Sequence, residues 1–500
     1  MDFINNLALG FSHSLALHNI LYCFIGALLG TAIGVLPGLG PLATIAMLLP
    51  LTFSLDPISA LIMLAGIYYG AQYGGSTTAI LVNLPGENSS VVTAIDGYQM
   101  ARQGRGGAAL ATAALASVLA GVIATFFIAG FSPILAKAAL SFKSPEYFSL
   151  MIVGLFAAVI LANGSIIKAI GMVVIGLILG TVGTDLNSGA NRFTFGTLNL
   201  MSGLEFVAIS MGLFAFAEIM SNVAQKASAK TDLHKVSRLW PSKQDFRYGT
   251  PAAVRGTLLG SVLGILPGGG AALASFSAYS LEKKVARDPS QFGKGAIQGV
   301  AGPEAANNAA AQTSFIPMLT LAIPSNGVMA LMMGAMMVHN IVPGPMILTQ
   351  NAPMFWALVT SMLIGNVILV LLNLPLVGLW VKLISVPYTV LYPAILMFCL
   401  IGLYGIENSS FNVYVAAVFG LVGFMLHRLK CEPAPLLLGF ILGPLLEENL
   451  RRSLLLSKGD FTIFVDRPIS LALLLLAAVL LLSTMMPSFR KKREEAFAED

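Results

Sequence analysis

A fifteen-residue phrase occurs twice in this chain. Residues 26–40 read GALLGTAIGVLPGLG and residues 256–270 read GTLLGSVLGILPGGG, identical at nine of fifteen positions. Each copy carries glycines four apart (Gly26, Gly30, Gly34; Gly256, Gly260, Gly264) and then breaks on Pro37-Gly38 or Pro267-Gly268. Residues four apart share a helix face, and a glycine stripe lets two helix backbones approach closely in lipid. Proline removes a backbone donor and disfavours helix in the residue before it. Glycine then permits backbone angles closed to other residues. The phrase therefore specifies, twice, a closely packed helix that stops abruptly.

Whether that stop lies in water or in hydrocarbon is decided by composition. Of the 500 residues, 56% are hydrophobic and 10% charged, against roughly 25% charged in a soluble domain. Too little charge is left to coat a water-facing surface. Apolar segments run from end to end without the ~10-residue alternating pattern of a membrane β-barrel, so the chain reads as an all-α polytopic membrane protein. Candidate spans or half-spans are 20–36, 41–55, 58–82, 108–131, 145–162, 165–183 and 203–222. After a polar linker come 252–266, 270–281, 304–323, 326–342, 353–373, 375–386, 389–406, 412–427, 433–446 and 467–486. Several are shorter than the ~20 residues of a full crossing, and the short ones cluster around the repeated phrase.

The linker is the one seam. Residues 223–250 are polar and basic, with Lys226, Lys230, Lys235, Arg238, Lys243 and Arg247. They divide a repeat 1 over 20–222 from a repeat 2 over 250–450. An extra transmembrane helix follows at 467–486, then a tail over 487–500 bearing Arg490, Lys491, Lys492 and Arg493. Basic clusters beside apolar spans mark cytoplasmic segments. With linker and tail both cytoplasmic and an odd number of crossings per half, the two repeats are inverted relative to each other. Arg451, Arg452 and Lys458 resist this scheme, because it places their loop outside. The N-terminus has no basic n-region or small-residue cleavage site, so it is expected to stay uncleaved and to start with an interfacial segment.

Within a membrane the freed peptide groups of a helix break must line protein or a watery cavity. Paired Gly/Pro interruptions in two halves point to a transporter's central site. A second pair exists: YGGSTTAILVNLPGENSS at 73–90 and NNAAAQTSFIPMLTLAIPSNGVMA at 307–330, which align Pro85 with Pro324. Each has an apolar run, a proline and a small polar cluster whose residues cap helix starts. A helix start inside a membrane offers N–H groups and partial positive charge to an anion. The candidates for contact with substrate or ion are Gly38, Gly40, Ser76, Thr77, Thr78, Asn83, Gly86 and Asn88 in half one. In half two they are Gly268, Gly270, Asn307, Asn308, Ser325 and Asn326. Close packing and ordinary capping are the competing roles for all of them. If the phrase is a functional break, Gly38→Ala and Gly268→Ala should abolish uptake and leave insertion intact.

Intramembrane ionisable groups deserve the same scrutiny. Glu205 and Glu218 sit near the two ends of one span, and Lys168 lies between apolar stretches. Glu304 follows Pro303 and Glu146 follows Pro145, the pattern of a proline-led helix start with an acid in its first turn. Asp96, ahead of Arg102 and Arg105, reads as part of a cytoplasmic loop or gate. Other classes find little support. There is no GxxxxGK[ST] phosphate loop, no nucleophile–base pair, and no metal-ligand spacing among the three cysteines and five histidines. The basic runs carry no stacking aromatics, so nucleic acid is not an expected partner. No cofactor is expected.

The phrases GVLPGLGPLATIAMLLPLTF, GIYYGAQYGGSTTAILVNLPGENSSVVTAIDGYQMARQGRGG and GILPGGGAALASFSAYSLEKK also carry a resemblance. They resemble the large membrane subunit of the tripartite tricarboxylate transporters, the TctA type, and the similarity runs over nearly the whole chain. The resemblance implies a multi-pass protein of the bacterial inner membrane, not an enzyme. It implies two partners, a small membrane subunit and a periplasmic solute-binding protein. It implies citrate, another tricarboxylate or a related organic acid as substrate, taken up by symport with a coupling cation, Na⁺ or H⁺. By analogy with other binding-protein-dependent secondary transporters it implies an elevator-type fold with paired re-entrant hairpins. The alternative is a freestanding organic-anion carrier or channel that needs no binding protein.

Overall fold

The computed structural model describes residues 2–36, 39–161, 165–185, 188–224, 239–266, 270–384, 386 and 388–485. Most of it is helix; a two-stranded pairing of 183–184 with 191–192 is the sole sheet among the described residues. The first half opens with α1 (Asp2–Ser14), α2 (Leu17–Gly34), α3 (Pro41–Leu48), α4 (Pro57–Val82), α5 (Val91–Arg102) and α6 (Gly106–Ala139). Then come α7 (Ser144–Leu161), α8 (Ile166–Leu179), α9 (Phe206–Ser210), a π-helical run over Met211–Phe216, and α10 (Ala217–Ala224).

The second half begins with α11 (Lys243–Ile265), α12 (Gly270–Val285), α13 (Gln298–Thr313), α14 (Phe315–Leu321), α15 (Gly327–Val338), α16 (Ile347–Gln350) and α17 (Ala352–Asn373). It ends with α18 (Val377–Ile384), α19 (Tyr388–Glu407), α20 (Ser410–Arg428), α21 (Ala434–Leu456), α22 (Ile463–Asp466) and α23 (Pro468–Met485). Among the described residues, five segments are long and apolar enough to cross a bilayer: Leu17–Gly34, Gly106–Ala139, Phe206–Val223, Ala352–Asn373 and Ser410–Arg428. On α20, Tyr414, Val418, Leu421 and Met425 are each more than half exposed. They recur at three- and four-residue steps, a continuous apolar stripe that only lipid or another apolar surface satisfies. The chain is an all-α polytopic membrane protein.

The glycine stripes pack as their spacing predicts. A Cβ added to Gly26, Gly30 or Gly34 of α2 would run into the backbone of Met63, Ile67 or Ala71 on α4. In the second half the stripe of α11 meets α13 in the same way: Gly256 on Gly302, Gly260 on Ala306, Gly264 on Ala310. The partners in α13 are those of α4 shifted by the offset that aligns Pro85 with Pro324. Further pairings exchange between halves: α4 packs on α17 and α13 on α6, while α3 packs on α15 and α12 on α5.

Boundaries differ from the sequence reading in three places, each with a physical cause. Helix α11 starts at Lys243, inside the stretch read as linker. Ser242 and Asp245 form a capping box, in which the Ser242 hydroxyl accepts from Asp245 N at 3.1 Å and the Asp245 carboxylate accepts from Ser242 N at 2.9 Å. Residues 225–238 of that linker, and the whole of the tail, lie outside the described residues. Helix α13 starts at Gln298, so Pro303 stands inside it and Glu304 is not in its first turn. Lastly, Arg451 and Arg452 belong to α21 and not to a loop. Arg451 pairs with Glu447 at 2.6 Å and Asp185 at 3.1 Å, and Arg452 pairs with Glu448. Their charge is spent locally, which weakens it as a topology signal.

Candidate functional site

The break in half one is a chain reversal. Helix α4 ends on Asn83, held in the left-handed region at φ 55°. The chain then doubles back along α4, so that Gly86 lies beside Gly75. A Cβ on Gly86 would stand 2.7 Å from Gly75 Cα and 3.1 Å from Gly34 O; one on Gly40 would stand 3.1 Å from Gly86 O. Glycine at Gly34, Gly40 and Gly86 lets the backbones of α2, α4 and the returning chain meet at one point. Half two repeats the device at equivalent positions. Ala322 takes φ 57°, as Asn83 does, and the Ser325 hydroxyl reaches back to Ser314 O at 3.4 Å, as Gly86 reaches Gly75. Asn326 then caps α15, accepting from Met329 N at 2.9 Å.

The two reversals converge. Asn307 of α13 donates to Glu87 Oε1 at 3.1 Å. A Cβ on Gly327, first residue of α15, would sit 3.2 Å from Leu42 of α3. One turn before Asn307, Glu304 is 1% exposed. Ser76 donates to it from 2.9 Å of both carboxylate oxygens, and Thr93 of α5 donates to Oε1 at 2.5 Å. Asn308 donates to Ser117 Oγ of α6 at 2.7 Å, and Gln312 accepts from Thr125 at 3.0 Å. Glu304, Asn308 and Gln312 follow at four-residue steps, so one polar stripe of α13 faces half one.

The sequence candidates divide accordingly. Ser76, Gly86, Asn307, Asn308, Ser325 and Asn326 stand at or beside the convergence, with Gly40 packed on Gly86. Thr77 and Thr78 are buried, their hydroxyls bonded back to Tyr73 O and Gly75 O at 3.1 and 2.9 Å. Asn83 and Asn88 are exposed. Gly270 starts α12 at φ 54° with nothing within 4 Å of an added Cβ. Gly38 and Gly268 lie outside the described residues. Sequence reasoning read Glu304 as a helix-start acid and missed its partners Thr93 and Ser76 as a cluster, with Ser117 beside them. The usable signal was Glu304, Asn307 and Asn308 at i, i+3 and i+4 in a run of alanine and glycine.

The other ionisable groups are structural in character. Glu146 accepts from Lys143 N at 2.8 Å in the first turn of α7, as its Pro-Glu pattern implies, and also pairs with Arg467. Glu205 caps α9, accepting from Val207 N at 3.5 Å. Glu218 accepts from Asn222 at 3.3 Å, and Lys168 donates to Leu429 O at 2.5 Å. Asp96 is not in a loop. It is fully buried in α5 and accepts 2.8 Å bonds from the backbone N–H of Gly293, Gly295 and Ala296, plus Tyr279 OH at 3.0 Å. It clamps the connection between α12 and α13 onto half one.

A cleft of ≈840 Å³ lies away from the convergence. Arg105, Arg247, Arg255 and Arg287 line it with Asp245, Glu282 and Asp288. Arg105 pairs with Asp245 at 2.6 Å, and Arg255 grips Glu282 with two bonds of 2.8 and 2.6 Å. Burial alone would raise the Asp245 carboxyl, but Ser242 and the Arg105 guanidinium outweigh it and hold it below the ordinary carboxylate range.

Comparison with known families assigns this architecture. Residues 20–438 match the model described as "Tripartite tricarboxylate transporter TctA family". The chain belongs to that family. A relative from Agrobacterium vitis, described as "Uncharacterized 52.8 kDa protein in TAR-I ttuC' 3'region", is 56% identical over 500 residues, all of both chains. Another from the same organism, "Uncharacterized protein in TAR-II ttuC' 3'region", is 56% identical over 241 residues, which is 48% of this chain and all of the relative. No solved structure matches the chain. The TctA-family match spans both reversals and every residue named at their convergence. It is a family of transporters, not of enzymes, and its description implies further subunits.

Proposed function

We propose that this chain is the large permease subunit of an ion-gradient-driven uptake system for tricarboxylates or related organic acids. In this reading it lies in a bacterial inner membrane with residues 223–250 and the C-terminus cytoplasmic. It works beside a small membrane subunit and receives substrate from a periplasmic binding protein. One observation carries the reading: two equivalent chain reversals, from halves of a TctA-family protein, bring Glu87 onto Asn307 and the Asn326-capped start of α15 onto Leu42 of α3. Freed peptide groups at such breaks suit carboxylate oxygens, because N–H donors and helix-start dipoles are already aimed and pay no reorganisation. The arginine-lined cleft on the side of Ser242 and Arg105 suits an anion leaving toward the cytoplasm.

The recurring contacts of the glycine stripes, and the pairings that exchange between α3–α15 and α12–α5, support halves related by a pseudo-twofold axis. We read that axis as lying in the membrane plane, with elevator-type movement of the reversals. The test is uptake by Asn307→Ala and Ser325→Ala in membranes. Loss of roughly tenfold or more in uptake with normal insertion is expected, the scale of one lost charge-assisted or buried contact. Full uptake in both variants would move the site elsewhere.

A further inference from the structure

We propose that a small cavity beside Glu304 is the binding site for one Na⁺, and that this ion is the one coupled to transport. The site itself stands on geometry; its role in coupling rests on the transport reading above. The cavity measures ≈20 Å³ and is lined by Tyr73, Ser76 and Thr77 of α4, Ser117 of α6, Glu304 of α13 and Asn373 of α17. That volume holds one water-sized particle and no more.

Two features separate a cation from a water. The first is charge. Four other buried carboxylates here have arginines: Glu146 has Arg467, Glu282 has Arg255, Asp185 has Arg451 and Asp245 has Arg105, while a fifth, Asp96, is held by three backbone N–H donors and Tyr279 OH. Glu304 is as deeply buried, yet among the described residues it has hydroxyl donors and no cationic side chain. An ionised carboxylate away from water needs a counter-charge.

The second feature is the donor set. Tyr73 OH and Asn373 Oδ1 line the same cavity, are 5% and 6% exposed, and have no hydrogen-bond partner. The Asn373 amide nitrogen is already committed to Leu369 O at 2.9 Å, which leaves the oxygen for the cavity. Ser117 Oγ lines the cavity as well; one of its lone pairs accepts from Asn308 at 2.7 Å and a second is left over. One carboxylate with neutral oxygens balances a single positive charge. No group of three His, Cys, Asp or Glu that would hold a divalent or transition metal occurs among the described residues. The lining comes from both halves, so an ion there ties α4 and α6 to α13 and α17.

The experiment is thermal unfolding of the purified full-length protein, titrated with NaCl against choline chloride at constant ionic strength. A saturable Na⁺-dependent rise in midpoint is expected, following the linkage of ligand to the folded state. Glu304→Gln, which keeps the shape, should weaken apparent Na⁺ affinity by about tenfold or more, and Asn373→Ala should weaken it less. Should Glu304→Gln not fold, Asn373→Ala and Ser76→Ala carry the test. No Na⁺ dependence in the wild type, a midpoint that follows pH alone, or a Na⁺ shift untouched by these variants overturns the proposal. A Glu304-dependent Na⁺ shift without carboxylate uptake would leave the site standing and remove the transport reading. Na⁺-driven uptake indifferent to Glu304 and Asn373 would do the reverse.

Discussion

Glycine has different jobs at different positions of this chain, and the differences are measurable. At Gly34 an added Cβ would stand 2.5 Å from Ala71 O and 2.6 Å from its Cα, both backbone atoms that cannot swing aside. Gly34→Ala should therefore destabilise by about 1–3 kcal/mol through overpacking, seen as a lower unfolding midpoint. Gly130, in the middle of α6, has nothing within 4 Å of an added Cβ. There the same substitution should stabilise by roughly 0.5–1 kcal/mol, because alanine suits a helix interior better. Ala322 is the converse case, a residue with a Cβ at φ 57°. Ala322→Gly should relieve about 1 kcal/mol of strain and raise the midpoint; a fall would show that its methyl contacts outweigh the strain. The period of the glycines was readable from sequence. The polar spacing around Glu304 was readable too, but its surroundings were not, since its partners Ser76 and Thr93 lie more than two hundred residues away in the chain and only the fold brings them to it.

Among elements, α11 and the connection before α13 decide how the halves are held. Ser242→Ala removes one side of the α11 capping box and should cost about 1 kcal/mol, with faster amide exchange over 243–247 as the local signature. The partner acid gives this cap a pH dependence. Asp245 is held below the ordinary carboxylate range, so its stabilisation is complete above that range. It is lost as pH falls through the lowered value, and exchange at 243–247 should quicken only under acid conditions. Arg105→Gln should move that loss to higher pH. The S-x-x-D pattern of this cap was present in the sequence, but polar flanks made it read as linker. Pro303 misled in the opposite sense. Proline usually marks a helix start, but in membrane helices neighbouring groups re-satisfy the backbone, and α13 runs through it. Asp96 was placed in a loop because α5 is short and mixed in character, and its three N–H partners lie in the other half. Asp96→Asn should release residues 286–297, measured as proteolysis or exchange confined to that connection.

At the scale of the molecule, the helices and their order were largely legible, because apolar runs bounded by glycine and proline leave few alternatives in a bilayer. Their pairing was legible only where a glycine stripe announced it. The route of the chain at the reversals was not, because it depends on left-handed residues such as Asn83 and Ala322 that sequence does not mark. Inversion of the halves has its own test at equivalent positions, Gln103 and Val342, both exposed. In a background freed of Cys23, Cys399 and Cys431, Gln103→Cys should react with a membrane-impermeant thiol reagent only from the cytoplasm. Val342→Cys should react only from the opposite side, and labelling from one common side would reject inversion. The most direct measurement of the central claim is accumulation of labelled citrate, with a panel of other carboxylates, in proteoliposomes. They would contain this chain and its small subunit, with and without the binding protein and an inward Na⁺ gradient. Uphill accumulation that requires both is the predicted result. Accumulation that ignores the gradient, or none with any carboxylate while the protein is folded and inserted, would contradict it.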